Sequence, residues 1–489
     1  MTKDIPYDLW QPVIGLEMHV QLNTKSKLFS SAANHFGDEP NTNISFVCTG
    51  EPGTLPTLNR EAVKKAIRFG LAVNAKIEPI SIFERKSYFY PDTPRNFQIT
   101  QMAKPVLTGG TIITEMEGKT KEFSLHHAHL EDDAGMLKHF SSFAGVDFNR
   151  AGVPLLEIVS TPTMHSPKEA IAYVTAIKAI MEYINASECN MEEGHLRVDA
   201  NISVRPKGET GLRNKTEIKN MNSFAYLEMA IAAEITRQIR IYSENPHTDM
   251  NILVPQMTYR WDSVEKTIVE MRKKESAEDY RYFPEPDLMP LIITQKEIDE
   301  IAKTMPELPY ERFLRYVKDF EISEYSAAQL ITDKHVADFF EEALKECPNA
   351  RALCNWITVE FAGRLKDSNK TVAAFGIKPS HIAKLVNMIE QGKINGKIAK
   401  KVADDMILSP KEDPETIVKN NPEYRPLSDA GLIEELVDTV ILQNPQSVLD
   451  FKAGNFRALG FLMGQIMKLS QGKCDPQMAN DLLRQKIAN

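Results

Sequence analysis

Cysteine is scarce in this chain, and its spacing argues against two kinds of structural support. Five cysteines are scattered over 489 residues, and no two of them form a C-x-x-C pair. Structural zinc sites usually draw on closely spaced thiolates, and disulfide frameworks are typical of short, cysteine-rich secreted chains. We therefore expect neither a thiolate zinc site nor disulfide bonds, and we interpret the cysteines as thiols in a reducing compartment.

Long apolar segments and the usual nucleotide-binding loops are also missing. No apolar run reaches the ~20 residues that span a bilayer, and residues 1–10 lack the apolar core of a signal peptide. We expect a cytoplasmic protein that does not enter the membrane. Gly118-Lys119-Thr120 ends like a Walker A loop, but Ile113 stands where the first glycine belongs, so the segment predicts a hairpin turn. No Gly-x-Gly-x-x-Gly cradle is visible either.

The composition is that of a soluble globular protein with a moderate negative charge. Apolar residues make up 42% and charged residues 26% of the chain, and the formal net charge is -9. This charge argues against nonspecific coating of nucleic acid, but a local basic patch could still bind one RNA. The length suggests about three domains.

The pattern of the sequence changes near residue 295. Before it, short alternating runs separated by Pro, Gly and Asn indicate strands, whereas after it apolar residues recur at helical spacing. One such stripe runs from Ile382 to Ile389 and is expected to follow a helix cap at Ser380. A segment rich in Pro, Asn and charge at residues 409–426 is interpreted as a linker. The sequence therefore predicts an α+β fold, with a mixed or antiparallel sheet domain at residues 1–294, a helical domain at 295–408 and a small helical tail at 409–489.

Two predicted strands carry polar side chains on one face only. From Val13 to Leu22 the even positions are apolar, whereas the odd positions include Glu17 and His19. From Leu196 to Arg205 the even positions are again apolar, and the odd positions are Arg197, Asp199, Asn201, Ser203 and Arg205. Side chains alternate across a strand, so each polar set shares one face. Each face is either solvated strand surface or a site where carboxylates hold a metal and arginines hold phosphate.

Two further segments add carboxylates and a lysine. Glu217 and Lys219 share one face of a third predicted strand, which leads through Ser223 into a helix. In His129–Gly135 three consecutive acids crowd together, which a solvated surface turn or a hard-cation site would explain. The four segments together offer the groups for Mg²⁺-dependent phosphoryl chemistry, and they also suit a two-metal hydrolase.

Several strings of this sequence occur in the same order in one known family. They are Ile14–Leu22, Arg85–Asp92, His129–Gly135, Asp147–Ser160, Met191–Gly194, Asp199–Asn201, Glu217–Asn220, Asp279–Asp287 and Gly460–Gln465. In these strings the chain resembles the B subunit of tRNA-dependent amidotransferases, the GatB family. The resemblance spans nearly the whole chain, and several strings are too long for chance to explain.

The resemblance implies an architecture, a reaction and partners. It implies a catalytic cradle related to glutamine synthetase, followed by a helical domain and a small helical tail. It implies ATP- and Mg²⁺-dependent phosphorylation of the side-chain carboxylate of Glu-tRNA(Gln) or Asp-tRNA(Asn), after which ammonia displaces phosphate. It also implies a glutaminase A subunit of the amidase family, which supplies the ammonia, and a small C subunit.

The same resemblance implies roles for individual residues. Those expected to bind the metal and take part in catalysis are Glu17, His19, Asp132 and Glu217. Those expected to contact nucleotide or substrate are Asp199, Asn201, Lys219 and Glu157. Many relatives have Glu at the position of Asp132; because Asp is one methylene shorter, a water-bridged contact is expected there rather than direct ligation.

Zinc and glutaminase activity are not expected. Some relatives hold zinc with a cysteine cluster that begins near Cys48, but here Cys48 has no close partner and Val198 occupies a position that is often Cys. No glutaminase nucleophile is evident, so we expect that this chain alone does not release ammonia from glutamine.

The helical tail is expected to bind tRNA through basic side chains, although each could instead lie on a solvated helix face. The candidates are Lys468, Lys473 and Arg484 in the tail, and Lys384, Lys393, Lys397, Lys400 and Lys401 in the helical domain before it. Two other functions remain open on the residues alone. A non-catalytic tRNA-binding scaffold would not need the acidic strand faces, and a metal-dependent phosphohydrolase would need a denser set of Asp and His ligands than the sequence offers.

Overall fold

The computed structural model describes residues 7–273, 277–368, 370–424, 430–470, 474 and 476–488. The chain divides into two compact units, the first ending at Arg312 and the second beginning at Phe313. Lys473 and the last two residues of the predicted linker lie outside the described residues. The finer division at residues 294 and 408 stays a prediction.

The first unit combines strands and helices. Its strands are β1 Trp10–Gln21, β2 Lys76–Ile77, β3 Ile80–Ser81, β4 Glu84–Ser87, β5 Phe97–Thr100, β6 Leu107–Thr108, β7 Thr111–Met116, β8 Lys119–Asp132, β9 Met136–His139, β10 Ala144–Asp147, β11 Pro154–Ser160, β12 Leu196–Pro206, β13 Thr216–Lys219, β14 Met257–Asp262, β15 Thr267–Lys273, β16 Phe283–Pro284 and β17 Leu291–Ile292. Its helices are α1 Phe46–Thr49, α2 Arg60–Ala72, α3 Pro167–Tyr183, α4 Phe224–Glu244, α5 Met250–Leu253 and α6 Gln295–Ala302, with 3₁₀ helices at Tyr7–Leu9 and Ala277–Tyr280.

One large mixed sheet organises this unit. Among the described residues it has ten strands in the order β15-β14-β13-β12-β1-β11-β8-β6-β2, with β7 paired to β8. β13 and β14 pair in parallel, whereas the long central pairs of β1 with β11 and with β12 are antiparallel. The β7–β8 connection is the predicted hairpin, because Glu117 and Gly118 both adopt the positive φ angles of a tight turn. The mixed sheet followed by helices confirms the predicted fold class.

Alternation along the strands gives this sheet an apolar face and a polar face. On β1 the even residues Ile14, Leu16, Met18 and Val20 are buried in one hydrophobic core with residues of α2, α3 and α4. Burying side chains of this size contributes roughly 1.5–3 kcal/mol each. The helices therefore cover the apolar face, and the odd residues of the same strands stand on the other face.

Two serine caps fix where the covering helices begin. Ser166 accepts a hydrogen bond from the backbone N–H of Glu169 at the start of α3, and Ser223 accepts one from Tyr226 at the start of α4. The predicted passage from β13 through Ser223 into a helix is confirmed.

The second unit is helical. Helix α7 Pro309–Phe320 includes the boundary at residue 312. The elements after it are α8 Glu324–Ile331, α9 Lys334–Leu344, α10 Ala350–Asn355, a π-helical turn Trp356–Phe361, α11 Ala362–Leu365, a 3₁₀ helix Lys366–Ser368, α12 Val372–Phe375, α13 Pro379–Glu390, α14 Gly396–Leu408, α15 Pro414–Asn420, a 3₁₀ helix Pro422–Tyr424, α16 Ala430–Gln443, α17 Pro445–Lys452, α18 Arg457–Leu469 and α19 Pro476–Ala488. No helix among the described residues is long and apolar enough to cross a membrane.

The apolar stripes of this unit are packed as their spacing predicts. Ile382, Leu385 and Val386 of α13 are buried. The predicted cap at Ser380 is wrong: the helix begins at Pro379 after Lys378, so Ser380 lies inside the first turn. Proline is favoured in that first turn because its missing N–H needs no partner there. Helices α16, α18 and α19 form a hydrophobic core of their own.

Candidate active site

The polar face of the sheet gathers acidic and imidazole side chains where β1, β11 and β8 lie side by side. The strand registers place His19 opposite Glu157, and Glu157 opposite His129. Oε2 of Glu157 lies 3.4 Å from Nε2 of His19 and 3.3 Å from Nε2 of His129. Along β1, Oε1 of Glu17 lies 3.8 Å from Nε2 of His19. The predicted shared face of Glu17 and His19 is therefore confirmed.

Two overlapping sets of side chains here could hold a cation. They are Glu17, His19 and Glu157, and His129, Glu131 and Glu157; within each set one ligand atom per residue lies within 4.8 Å of the others. Burial and the charge of Glu157 raise the pKa of Glu17, which means that a second anion is disfavoured at this spot. A divalent cation relieves that repulsion, and carboxylate oxygens are the ligands that Mg²⁺ prefers. The residues present fit such an ion.

Glu157 is the electrostatic centre of the cluster. Burial alone would raise its pKa, but His129 and His19 outweigh burial and hold the pKa of Glu157 well below its ordinary range. Conversely, burial lowers the pKa of His19 and of His129, and Glu157 overcomes it, so that both pKa values are raised. A metal that binds these nitrogens must displace their protons, so ion binding and protonation compete here.

A second group of charges continues the same face on β12 and β13. Nζ of Lys219 lies 2.7 Å from Oδ2 of Asp199 and 3.7 Å from Oε1 of Glu217. Thr258 donates to the other oxygen of Glu217 at 2.9 Å. Asn201 lies on this face in register with Glu217. Burial lowers the pKa of Lys219, but Asp199 and Glu217 raise it further than burial lowers it, so the side chain is a fixed cation.

Several residues of this face were not singled out from the sequence. Glu131 accepts from Gln98 at 3.0 Å and lies 3.4 Å from Nζ of Lys86. Lys86 comes from β4, in a different small sheet, and no local pattern connects it with the acids of β8. Long-range pairing alone brings the two segments together.

Asp133 forms a second ion pair that the sequence analysis did not identify. Its Oδ2 lies 2.8 Å from Nη2 of Arg197 and 3.6 Å from Nε of Arg150, and Gln21 donates to the same oxygen at 3.1 Å. Burial would raise the pKa of Asp133, but Arg197 and Arg150 lower it overall. Asp133 therefore stays ionised and holds two guanidinium groups beside the cleft.

Asp132 is not brought together with Glu17 and His19. It alternates with Glu131 and Asp133, so its side chain leaves β8 on the opposite face. There it pairs with the guanidinium of Arg95 and accepts a hydrogen bond from the backbone N–H of Ile99 at 2.7 Å. The three acids 131–133 are all buried, so the alternative of a solvated surface turn is wrong.

An open cleft lies along this face. Its lining includes both signs of charge: His19, Lys86, Glu131, Asp133, Arg150, Arg197, Asp199 and Lys219. Four cationic side chains stand next to a row of carboxylates, an arrangement that can bind phosphate oxygens beside a divalent cation.

Comparison with known proteins gives a consistent family assignment. A family model described as the GatB/GatE catalytic domain matches residues 12–299, and one described as the GatB domain matches residues 338–487. A protein of Protochlamydia amoebophila, named as the B subunit of aspartyl/glutamyl-tRNA(Asn/Gln) amidotransferase, is 59% identical over 480 residues, which cover 98% of this chain and 97% of that protein. Proteins of the same name from Chlamydia abortus and Chlamydia trachomatis serovar L2 are 58% and 56% identical, each over 98% of this chain and 98% of the relative.

Proposed function

The chain belongs to the GatB family, and from that premise we propose that it amidates the side-chain carboxylate of Glu-tRNA(Gln), Asp-tRNA(Asn) or both in an ATP-dependent reaction. The observation that carries the proposal is the row Glu17–His19–Glu157 next to the cationic wall of the cleft. The relatives are each named as one subunit of an amidotransferase, which supports a multisubunit enzyme. In it, a glutaminase A subunit would supply ammonia and a small C subunit would complete the assembly.

The chemistry explains why such a site needs both charges. A carboxylate is a poor acyl donor because its leaving group would be oxide. Transfer of the γ-phosphoryl group of ATP to a carboxylate oxygen releases ADP and gives an acyl phosphate. Ammonia then attacks the carbonyl carbon, the C–O bond to phosphate breaks, and the nitrogen loses a proton as the amide forms. Both steps bring anions together and depend on fixed positive charge.

Residues of the polar face have separate tasks in this proposal. Glu17, His19 and Glu157, or His129, Glu131 and Glu157, would hold Mg²⁺, which when bound screens phosphate oxygens. In this proposal Glu131 is the metal ligand that the sequence analysis expected at Asp132. We assign Asp132 a structural role, because its ion pair with Arg95 stabilises the end of β8.

The cationic residues bind and orient the anionic groups. Arg197 and Arg150, held by Asp133, attract phosphate or the substrate carboxylate. Lys219, held between Asp199 and Glu217, does the same from the β13 side, and Asn201 lies on the same face.

The test is ADP release by the chain assembled with its partner subunits, with ammonium chloride in place of glutamine. Glu-tRNA(Gln), uncharged tRNA and no tRNA are compared, and the variants are Glu17→Gln and Glu157→Gln. Each variant should lower the rate by about a hundredfold or more, because each removes a charged ligand. Glu122→Gln is the matched control, since Glu122 lies exposed on β8.

The outcomes separate three functions. The amidotransferase is supported if ADP release requires the aminoacyl group and Mg²⁺. In that case ADP release should be lost in Glu17→Gln and Glu157→Gln but not in Glu122→Gln. ADP release independent of the aminoacyl group would indicate a phosphohydrolase. Binding of tRNA without ADP release under any condition would indicate a scaffold.

A further inference from the structure

Two large aromatic side chains project into solvent from the turn that follows β4. Phe89 exposes 74% and Tyr90 57% of its surface. The preceding residue, Tyr88, points inward and donates to Oε1 of Gln98 at 2.7 Å, and Gln98 in turn donates to Glu131. The exposed rings therefore begin one residue away from the wall of the candidate active site.

A distant segment of the chain completes this surface. β16 pairs with β4, with Phe283 opposite Arg85, and this pairing brings Tyr280 and Arg281 against the turn. The guanidinium of Arg281 lies 5.9 Å from the centre of the Phe89 ring, and the Tyr280 ring packs edge-on against Tyr88 at 6.1 Å. We define the aromatic rim as Phe89, Tyr90, Tyr280 and Arg281.

Two structural details indicate that the aromatic rim is a ligand-binding surface and not only an exposed loop. Arg281 adopts a φ of 48°, in the left-handed region that residues other than glycine rarely occupy, and such outliers cluster at ligand-binding positions. Lys86, whose Nζ lies 5.5 Å from the centre of the Tyr280 ring, and Tyr88 both line the cleft. The rim is thus continuous with the carboxylate cluster.

We propose that the aromatic rim binds an unpaired nucleobase at the 3′ end of tRNA. Exposed aromatic faces and guanidinium planes stack on bases, and the arginine charge attracts the adjoining phosphates. The proposal rests on the proposed function: the amino acid is esterified to the terminal ribose, so the terminal base must lie within one nucleotide's length of the reacting carboxylate. The adenine of ATP can stack on the same side chains, and the experiment distinguishes the terminal base of tRNA from the adenine of ATP.

The test uses the assembled enzyme with the variants Phe89→Ala, Phe89→Trp and Arg281→Ala. The matched control is Phe46→Ala, because Phe46 has the same exposure of 74% at another place on the first unit. KM and kcat are measured for Glu-tRNA(Gln) and for ATP. In addition, tRNA carrying 2-aminopurine as its 3′-terminal base reports stacking through loss of fluorescence on binding.

We expect Phe89→Ala to raise the KM for tRNA about tenfold or more and to abolish the fluorescence quench, because it removes a stacking face. Arg281→Ala should have a smaller effect of the same kind, and Phe89→Trp should restore both readouts. The KM for ATP and all values for Phe46→Ala should stay unchanged.

Three results would overturn the proposal. They are an unchanged quench and tRNA KM in Phe89→Ala, an increase in the KM for ATP alone, and an equal effect in Phe46→Ala. Failure of the proposed function appears differently, as absence of tRNA-dependent ADP release in the unsubstituted enzyme. The 2-aminopurine signal tests the rim in that case as well.

Discussion

Glu131 and Asp132 follow each other on β8, and their side chains leave the sheet on opposite faces. Glu131 meets Lys86 and Gln98 at the cleft, whereas Asp132 meets Arg95 and the backbone of Ile99 behind it. Two adjacent positions on one strand therefore have different roles: Glu131 is a candidate metal ligand, whereas Asp132 forms a structural ion pair.

Substituting these two neighbours should affect activity differently. Glu131→Gln should lower ADP release strongly, and it should also lower the free energy of unfolding, because it leaves the Lys86 ammonium without its charged partner. Asp132→Asn should lower the free energy of unfolding by about 1–3 kcal/mol, because it leaves the Arg95 guanidinium without its charged partner, while the activity of the folded enzyme persists. Urea unfolding and ADP assays on both variants check this. Loss of activity at unchanged stability in Asp132→Asn would instead support the original metal-ligand expectation for Asp132.

This pair of residues also marks the limit of what the sequence predicts about the site. The period-2 pattern was enough to put Glu17 with His19, because the residues between and beside them are clearly apolar. Three consecutive acids give no such contrast, and only the register of β8 against β11 decides which of them faces the cleft. Lys86 and Arg150 reach the cleft from other segments, so local sequence does not reveal them.

Cys48 has an environment unlike that of an inert buried thiol. Nζ of the fully buried Lys27 lies 3.6 Å from its sulfur, and the hydroxyls of Ser30 and Ser45 lie at 3.4 and 3.3 Å. Burial raises the pKa of Cys48, but Lys27 and the two hydroxyls outweigh it and lower the pKa below its usual 9.0. Burial raises the pKa of Cys189 to about 12.

The alkylation rates of these two cysteines should therefore differ in their pH dependence. Only the thiolate reacts, and it forms as pH rises through the pKa, so Cys48 should reach half its maximal rate below pH 9.0. Pulse labelling with iodoacetamide and peptide mass spectrometry should find Cys48 modified well before Cys189. Lys27→Met should move the Cys48 midpoint to higher pH, and an unmoved midpoint would refute the role of the ammonium group.

At the scale of elements, the start of α4 connects the core to the cleft. β13 carries Glu217 and Lys219, the turn after it carries Asn220 and Asn222 at the cleft, and Ser223 then caps the helix. The Ser223 cap was predicted from the sequence. The cap predicted at Ser380 was wrong, because α13 already begins at Pro379. Local signals thus predict that a helix exists better than where it begins.

Removing the Ser223 cap should destabilise the first unit measurably. Ser223→Ala leaves the N–H of Tyr226 without its acceptor and should lower the free energy of unfolding by about 1 kcal/mol, and Ser223→Gly by less. Ser243→Ala, at an exposed position in the last turn of the same helix, is the control and should be neutral. Urea denaturation followed by circular dichroism gives the comparison, and equal losses at Ser223 and Ser243 would contradict the capping argument.

At the scale of the whole molecule, the net charge of -9 leaves RNA binding to a few exposed basic groups. Several candidates from the sequence are already paired with acids: Lys384 with Asp413, Lys393 with Glu415 and Lys400 with Glu360. Their charges are largely offset locally. Lys397 and Lys401 of α14 are exposed, and they are better placed to meet phosphate.

Neutralising these two sets of lysines should therefore affect tRNA binding unequally. Each lysine that contacts a phosphate releases counterions, so its loss lowers the slope of log K against log salt concentration by about 0.7–0.9. The double variant with Lys397→Gln and Lys401→Gln should bind tRNA more weakly, and its slope should be lower by up to about twice that amount. Lys393→Gln with Lys400→Gln makes the same change in net charge but removes the lysine partners of Glu415 and Glu360. An effect limited to this second pair would therefore be a general charge effect. Filter binding between low and physiological salt distinguishes the two cases, because only direct phosphate contacts change the slope. An equal slope change in both double variants would show that Lys397 and Lys401 have no special place in the RNA interface.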